Sequence, residues 1–293
     1  MKIGLFLALF HDRSLEEALE AAKAAGCEAV EIATTGPHDG PGLAERAAAR
    51  GLEISALSCH GNPLHPVAAL ADRADREFRR TVRTAAEIGV DTVITFSGCP
   101  GESEHSLRPS WVACSWPDEY PETLEWQWRE RVVPYWLEAA EFARAHGVRV
   151  AIEPHPGFVV YNTATLLRLR AAAGPNLGAN FDPSHLFWQQ IDPLVSAHAL
   201  SGAVFHVHAK DTGFDEERLA VDGVVETRTR PEERAWNFCS VGDGHPVEFW
   251  RDLAAALREA GYDGALSIEH EDPFRSLEDG LARAVSTLRA ALA

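Results

Sequence analysis

The chain has 293 residues, 46% of them hydrophobic, and a formal net charge of −17. That length and apolar content support a sizeable buried core, while the acidic balance disfavours tight binding to nucleic-acid phosphates or to an anionic membrane surface. The five cysteines (Cys27, Cys59, Cys99, Cys114 and Cys239) are odd in number and form no Cys-x-x-Cys pair, which argues against a disulfide framework or zinc knuckle and for a reducing, cytoplasmic compartment.

The apolar run at 3–10 follows a single Lys and has no small-residue cleavage site after it, so it reads as a first strand rather than a targeting segment. Ser14-Leu15-Glu16-Glu17 is a capping box that opens a helix, and Gly26 closes it. Strand-like runs continue at 29–35, 53–59, 92–97, 149–154, 177–182, 204–210 and 265–271, eight in all. Between them lie helical patterns. Val67, Leu70, Ala74, Phe78, Val82, Ala85 and Ile88 form one apolar face, with Asp72, Arg73, Asp75, Arg76, Arg79 and Arg80 opposite. Ser276 opens a last helix with Leu281, Val285, Leu288 and Leu292 on one side. No apolar run reaches the roughly 18 residues needed to span a bilayer.

Five segments, AAGCEAVEI, ARGLEIS, EIGVDTVI, AHGVRVAI and EAGYDGALSI, repeat one punctuation: a helix, a glycine, then a strand. Repeated αβ units imply parallel strands. Eight strands alternating with helices predict an α/β fold, a (β/α)8 TIM barrel of one domain over residues 1–293. No Gly-x-Gly-x-x-Gly follows the first strand, which disfavours a dinucleotide-binding sheet. Long connections at 98–122 and 212–246 leave strands 4 and 7 on the face where barrels build their sites. Trp111 and Trp116 in the first either stack on a sugar or pack the loop onto its own barrel or a second subunit.

Polar residues cluster where strands end. VRVAIEPHPG closes the fifth strand on Glu153 and His155; LGANFDPSH closes the sixth on Asp182 with His185 one turn on; VFHVHAKD puts His206 and His208 on one face; ALSIEHED puts Glu269 and Glu271 on one face. Glu153, Asp182, His208 and Glu269 make three carboxylates and one imidazole. That set suits one divalent ion, Mn²⁺ ahead of Mg²⁺, Co²⁺ or Zn²⁺. Four unpaired ionisable groups there would be costly without a cation, and the alternative is that each is salt-bridged to a basic neighbour. His155, two residues beyond Glu153, reads as an acid or base near neutral pH, or else as a hydrogen-bonded wall residue. His60 and His65, flanking the turn Gly61-Asn62-Pro63, either bind sugar hydroxyls or brace their loop.

IEPHP, NFDPSH, HVHAKD and SIEHED, in that order, resemble the xylose isomerase-like superfamily of metal-dependent sugar isomerases and epimerases across essentially the whole chain. The resemblance implies a metal on Glu153, Asp182, His208 and Glu269, with His185 touching a substrate oxygen or bracing a ligand. In the ketose 3-epimerase branch the glutamates matching Glu153 and Glu269 also act as acid and base on opposite faces of the sugar. Xylose isomerase itself has Glu-Pro-Lys-Pro where this chain has Glu153-Pro154-His155-Pro156. That departure argues against a two-metal aldose isomerase, and the acidic charge argues against the DNA-repair branch.

The expected chemistry is proton abstraction next to a sugar carbonyl through a metal-bound enediolate. Return of the proton gives isomerisation or epimerisation. Loss of a β-substituent instead gives a 3-keto-glycoside lyase or a sugar or inositol dehydratase, alone or as one subunit of a heteromer. A homo-oligomer, or a non-enzymatic sugar-binding subunit, is the other arrangement considered; the complete ligand set favours activity.

Overall fold

The structure is a computed structural model that describes residues 1–36, 38–40 and 42–293. Ten strands follow in chain order: β1 (Lys2–Phe6), β2 (Ala29–Ala33), β3 (Glu53–Ser58), β4 (Thr92–Phe96), β5 (Arg149–Glu153), β6 (Leu177–Phe181), β7 (Val204–Ala209), β8 (Asp211–Phe214), β9 (Trp236–Cys239) and β10 (Ala265–Ile268). Eight close a parallel barrel in the order β1-β10-β7-β6-β5-β4-β3-β2, and β8 and β9 pair antiparallel as a separate sheet. The fold is therefore the expected (β/α)8 barrel.

Each barrel strand ends one to four residues before its expected run does. Past β2, β4, β6, β7 and β10 the next residue is polar (Thr34, Ser97, Asp182, Lys210 and Glu269), whereas β3 ends before Cys59 and β5 keeps Glu153 and ends before Pro154. The first run differs. Leu7–Phe10 turns into a 3-10 helix, with Leu7 and Phe10 still buried, so apolar character continues past the sheet. The helix starts and stops follow their sequence signals. Ser14 and Glu17 form the full capping box of Leu15–Ala25, and Ser276 accepts the Asp279 N–H at the start of Leu277–Leu292. The glycines of the five repeated segments, Gly26, Gly51, Gly89, Gly147 and Gly261, all take positive φ, the conformation a side chain disfavours at a helix end.

The chain groups into two compact units: 1–32 with 36–55 and 181–293, and 33–35 with 56–180. The division falls inside β2, β3 and β6. In the first unit, Leu5, Ile32, Val207, Leu266, Trp250, Leu253 and Leu288 are buried between its strands and the helices Leu15–Ala25, Val247–Glu259 and Leu277–Leu292. In the second, Val93, Ile94, Val150 and Ile152 are buried with Phe78 and Trp136 from helices Ala68–Ile88 and Val133–Ala145. Phe78 and Trp136 meet edge to face at 5.9 Å, and Trp136 Nε1 donates to Ser97 O at 2.9 Å.

The connection after β7 is expected from the sequence to be a long loop. It instead carries β8, helix Glu216–Asp222 and β9, and it is anchored by one carboxylate. Asp211, fully buried, accepts the backbone N–H groups of Thr212, Gly242, Gly244 and His245 and the Nδ1–H of His245 at 2.7–3.2 Å. A Cβ on Gly244 would stand 2.2 Å from Thr212 O, so only glycine permits this approach. Hydrogen bonds to a charged acceptor contribute about 1.5–3 kcal/mol each and are not additive. Asp211→Ala should therefore lower unfolding free energy by about 3 kcal/mol or more, and Asp211→Asn, which keeps one acceptor oxygen, by less. Equal denaturation midpoints for wild type and both variants would contradict this anchoring role.

Candidate active site

In the first unit, β7 and β10 set the geometry. Side chains alternate along a strand, so His206 and His208 share a face, and both are buried. His208 lies level with Ser267 of β10. Just past β10, the Glu269 N–H reaches Ala209 O at 3.2 Å, extending the ladder. This places Glu269 Oε2 3.0 Å from His208 Nδ1. On the other side of the ring, His208 Nε2 is 2.7 Å from Glu31 Oε2 of β2. Burial opposes a charge on His208, but the two flanking carboxylates more than offset it and hold its pKa well above the usual histidine value.

Lys210, one residue past β7, is also buried. Its Nζ stands 2.8 Å from Glu269 Oε2, 3.1 Å from Asp182 Oδ2 and 3.2 Å from Glu271 Oε2. It also lies 4.6 Å over the Phe238 ring. Asp182 caps the turn after β6 by accepting the Ser184 N–H at 2.8 Å. Its Oδ2 faces His185 Nε2 at 3.4 Å. Neither the Lys210 nor the His185 contact gives Oδ2 a well-formed hydrogen bond among the described residues, so these are charge contacts. Of the two alternatives open from sequence, a metal or a basic neighbour, Lys210 supplies an internal cation for two of the three candidate carboxylates, Asp182 and Glu269.

Charge remains after that pairing. Asp182, Glu269 and Glu31 lie against Lys210 and a protonated His208, with His185 and His206 also near Asp182 and Glu31, so carboxylates outnumber the two cations even before the exposed Glu271 is counted. One ligand atom from each of Asp182, His208 and Glu269 lies within 4.8 Å of the others. That spacing fits donors around an ion held at about 2.0–2.3 Å. The residues present therefore fit a divalent ion in charge, donor type and spacing.

In the second unit, Phe96 of β4 lies level with Glu153 of β5. Glu153 is buried and accepts from Asn180 Nδ2 at 3.1 Å, with His60 Nε2 at 3.6 Å. The prolines around His155 have a local role. Phe158 N–H bonds His155 O at 3.1 Å, with Pro156 and Gly157 (φ 96°) at the turn's centre. Proline followed by a positive-φ glycine is the type II turn pattern. The ring of His155 sits edge-on to Phe96 at 5.0 Å and to Phe158 at 5.6 Å. Its Nδ1 is 2.7 Å from Pro156 O. A carbonyl only accepts, so Nδ1 carries the hydrogen and a neutral ring has its lone pair at Nε2.

The remaining candidates divide. The His60 ring lies 4.7 Å from that of Phe96, tilted by 53°, and faces Glu153. His65 Nδ1 accepts the Val67 N–H at 3.0 Å, the loop-bracing arrangement. Trp111 meets Tyr161 edge-on at 5.4 Å, and Trp116 is 78% exposed. Gln127 Nε2 ties down that loop through Gly101 O and Ser110 O at 3.0 and 2.8 Å. Sequence reasoning missed Glu31, Asn180 and the Trp188–Trp236 stack, whose rings lie 4.8 Å apart and 7° from parallel beside Phe238. Only Glu31 left a signal: one carboxylate inside an otherwise apolar strand, AVEIA.

Removing one partner of a buried ion pair costs about 3–5 kcal/mol because the other charge stays buried. Lys210→Met should therefore destabilise the metal-free protein by about that amount, and a divalent ion should restore part of it. Thermal unfolding with chelator and with Mn²⁺ measures both; a variant as stable as wild type in chelator would show that Lys210 does not balance these carboxylates.

Comparison with known proteins gives the architecture its relatives. The chain is 37% identical over 246 residues to the uncharacterized protein YfiH of Bacillus subtilis (strain 168), covering 82% of this chain and 78% of that one. It is similar in fold to a D-tagatose 3-epimerase-like protein, with TM-score 0.70 and 20% identity over 100% of this chain and 97% of the other. It is similar also to the probable 3-DHS dehydratase AsbF of Bacillus anthracis, with TM-score 0.69 and 16% identity over 99% of both chains. The family model described as xylose isomerase-like TIM barrel matches residues 19–291, and the chain belongs to that family.

Proposed function

We propose that this protein is a sugar isomerase or epimerase that works with one divalent ion held by Glu153, Asp182, His208 and Glu269. The observation that carries the reading is the Asp182, His208 and Glu269 cluster, its ligand atoms within 4.8 Å of one another, with the Glu31 carboxylate on the far side of the His208 ring and Lys210 against Asp182 and Glu269. Glu153, the last residue of β5, is the fourth ligand that the resemblance to the xylose isomerase-like superfamily implies. Mn²⁺ suits three oxygens and one nitrogen. Membership of a family with sugar-epimerase-like structural neighbours supports a carbohydrate substrate.

When bound, such an ion polarises a substrate carbonyl and acidifies the neighbouring C–H. The protein's own residues do the rest. His155, held by its turn with the lone pair at Nε2, takes or returns a proton, as do the Glu153 and Glu269 carboxylates. Lys210 holds Glu269 and Glu271 in position. His185 braces Asp182 through the 3.4 Å contact and offers its ring to a substrate hydroxyl. His60, His65, Trp111 and Trp116 stand as substrate-side candidates, His60 foremost because it reaches Glu153. No helix among the described residues is long and apolar enough to cross a membrane.

A second reading keeps the same first half and ends in β-elimination, as a 3-keto-glycoside lyase or a sugar or inositol dehydratase. The likeness to a probable dehydratase favours it, as does His155 at the place of a lysine.

Incubation with Mn²⁺ and candidate ketoses in D₂O separates the outcomes. Deuterium entering a carbon beside the carbonyl, with an epimer or isomer accumulating, is expected; release of water or an aglycone selects elimination. Glu153→Gln, Glu269→Gln and His155→Ala should each slow exchange by roughly 10²–10⁴-fold. Protein that neither binds Mn²⁺ nor gains thermal stability from it would sink the metal reading.

A further inference from the structure

We infer that Glu31 is a positioning residue: it holds His208 in the tautomer that presents Nδ1 toward Asp182 and Glu269, and so sets the affinity of the candidate metal site. This rests on the metal reading above. Glu31 is fully buried in β2, a strand otherwise made of Ala29, Val30, Ile32 and Ala33. A lone carboxylate there is costly unless its charge is used. Its Oε2 lies 2.7 Å from His208 Nε2. A carboxylate only accepts, so Nε2 carries the hydrogen. Nδ1, 3.0 Å from Glu269 Oε2, carries the second hydrogen of the protonated ring; a cation binding beside Asp182 and Glu269 displaces that proton and takes Nδ1, while Glu31 keeps the hydrogen on Nε2.

The ring is fixed from two further directions. Phe6 of β1 lies level with Glu31 in the sheet register and stacks on His208 at 5.7 Å and 22°. His206 meets His208 edge-on at 5.7 Å and 88°. Tilt and rotation of the imidazole are thereby limited, and the Glu31 carboxylate makes Nδ1 more basic. Carboxylate partners of metal-binding histidines act in this way, and their loss typically weakens metal binding 10–100-fold.

Glu31 also lies within reach of His206 and His208 as a ligand group of its own. The geometry favours the hydrogen bond. Adjacent donors around an ion at about 2.1 Å keep roughly 3 Å between them, and the 2.7 Å separation is instead that of a charge-assisted hydrogen bond. Moreover, His206 Nε2 is engaged by Ser55 Oγ at 3.3 Å, and its Nδ1 is 4.0 Å from Glu31 Oε2.

Co²⁺ reports both affinity and coordination. Calorimetric titration and visible absorption are measured on wild type, Glu31→Gln, Glu31→Leu and Ser55→Ala, each checked for native circular dichroism. Wild type is expected to bind one Co²⁺ per chain. Glu31→Leu should weaken binding roughly 10–100-fold and shift the absorption bands at saturation. Glu31→Gln, which keeps the shape and one acceptor oxygen, should fall between. Ser55→Ala, which alters the same layer without touching His208, should match wild type. Should Glu31→Leu not fold, the Kd and spectrum of Glu31→Gln decide. Wild-type Kd and an unchanged spectrum in the folded Glu31 variants overturn the positioning role while leaving the metal reading intact. Two ions per chain, one lost with Glu31, overturn it by making Glu31 a ligand. No Co²⁺ uptake by wild type overturns the metal reading and this role with it.

Discussion

The interior of this barrel is organised around buried negative charge and the few groups that balance it. Glu31 and Asp182, both buried away from water, and the partly buried Glu269 lie around His208 and Lys210. In that setting each carboxylate has to face a proton, an ammonium or a metal ion, because unpaired burial is too costly to persist. The carboxylates outnumber these cations, and a divalent cation is a natural complement. The proposed chemistry follows from the same imbalance: a cation taken up there would make a neighbouring substrate carbonyl reactive.

Holding such groups in place falls to short-range backbone features at the strand ends. Asp211, next to Lys210, gathers five N–H groups and so fixes the end of β7 against the segment that carries Gly242 to His245. Pro156 and Gly157 turn the chain after β5 and orient the His155 ring between Phe96 and Phe158. Gln127 ties the Trp111 loop through main-chain carbonyls. Each device uses buried or turn-bound polar groups whose geometry tolerates few alternatives, and preorganisation of this kind is what proton transfer next to a carbonyl needs.

Much of the architecture is legible in the residues. Capping boxes, positive-φ glycines and eight apolar runs in alternation with amphipathic helices predict a parallel barrel because each signal is local. The strand-end polar residues are legible for the same reason: Glu153, Asp182, His208 and Glu269 interrupt apolar runs at matching places. Boundaries are less so. Asp182 and Lys210 lie just outside their strands while Glu153 stays in its own, and the apolar segment Leu7–Phe10 stays buried without being strand. The small antiparallel sheet of β8 and β9 reads as loop in the sequence, since its four-residue strands are too short to show a period.

The sequence by itself determined the repeating unit, the strand order in the chain and which chemistry-bearing residues stand at strand ends, because periodicity, caps and turns depend on neighbours a few residues away. Only the tertiary structure decided how charges pair. Lys210 reaching Asp182, Glu269 and Glu271, and Glu31 reaching His208 across 177 positions, are contacts made by barrel closure. No local pattern encodes them, since electrostatic balance depends on distance in space and on excluded water, and neither is a property of sequence spacing.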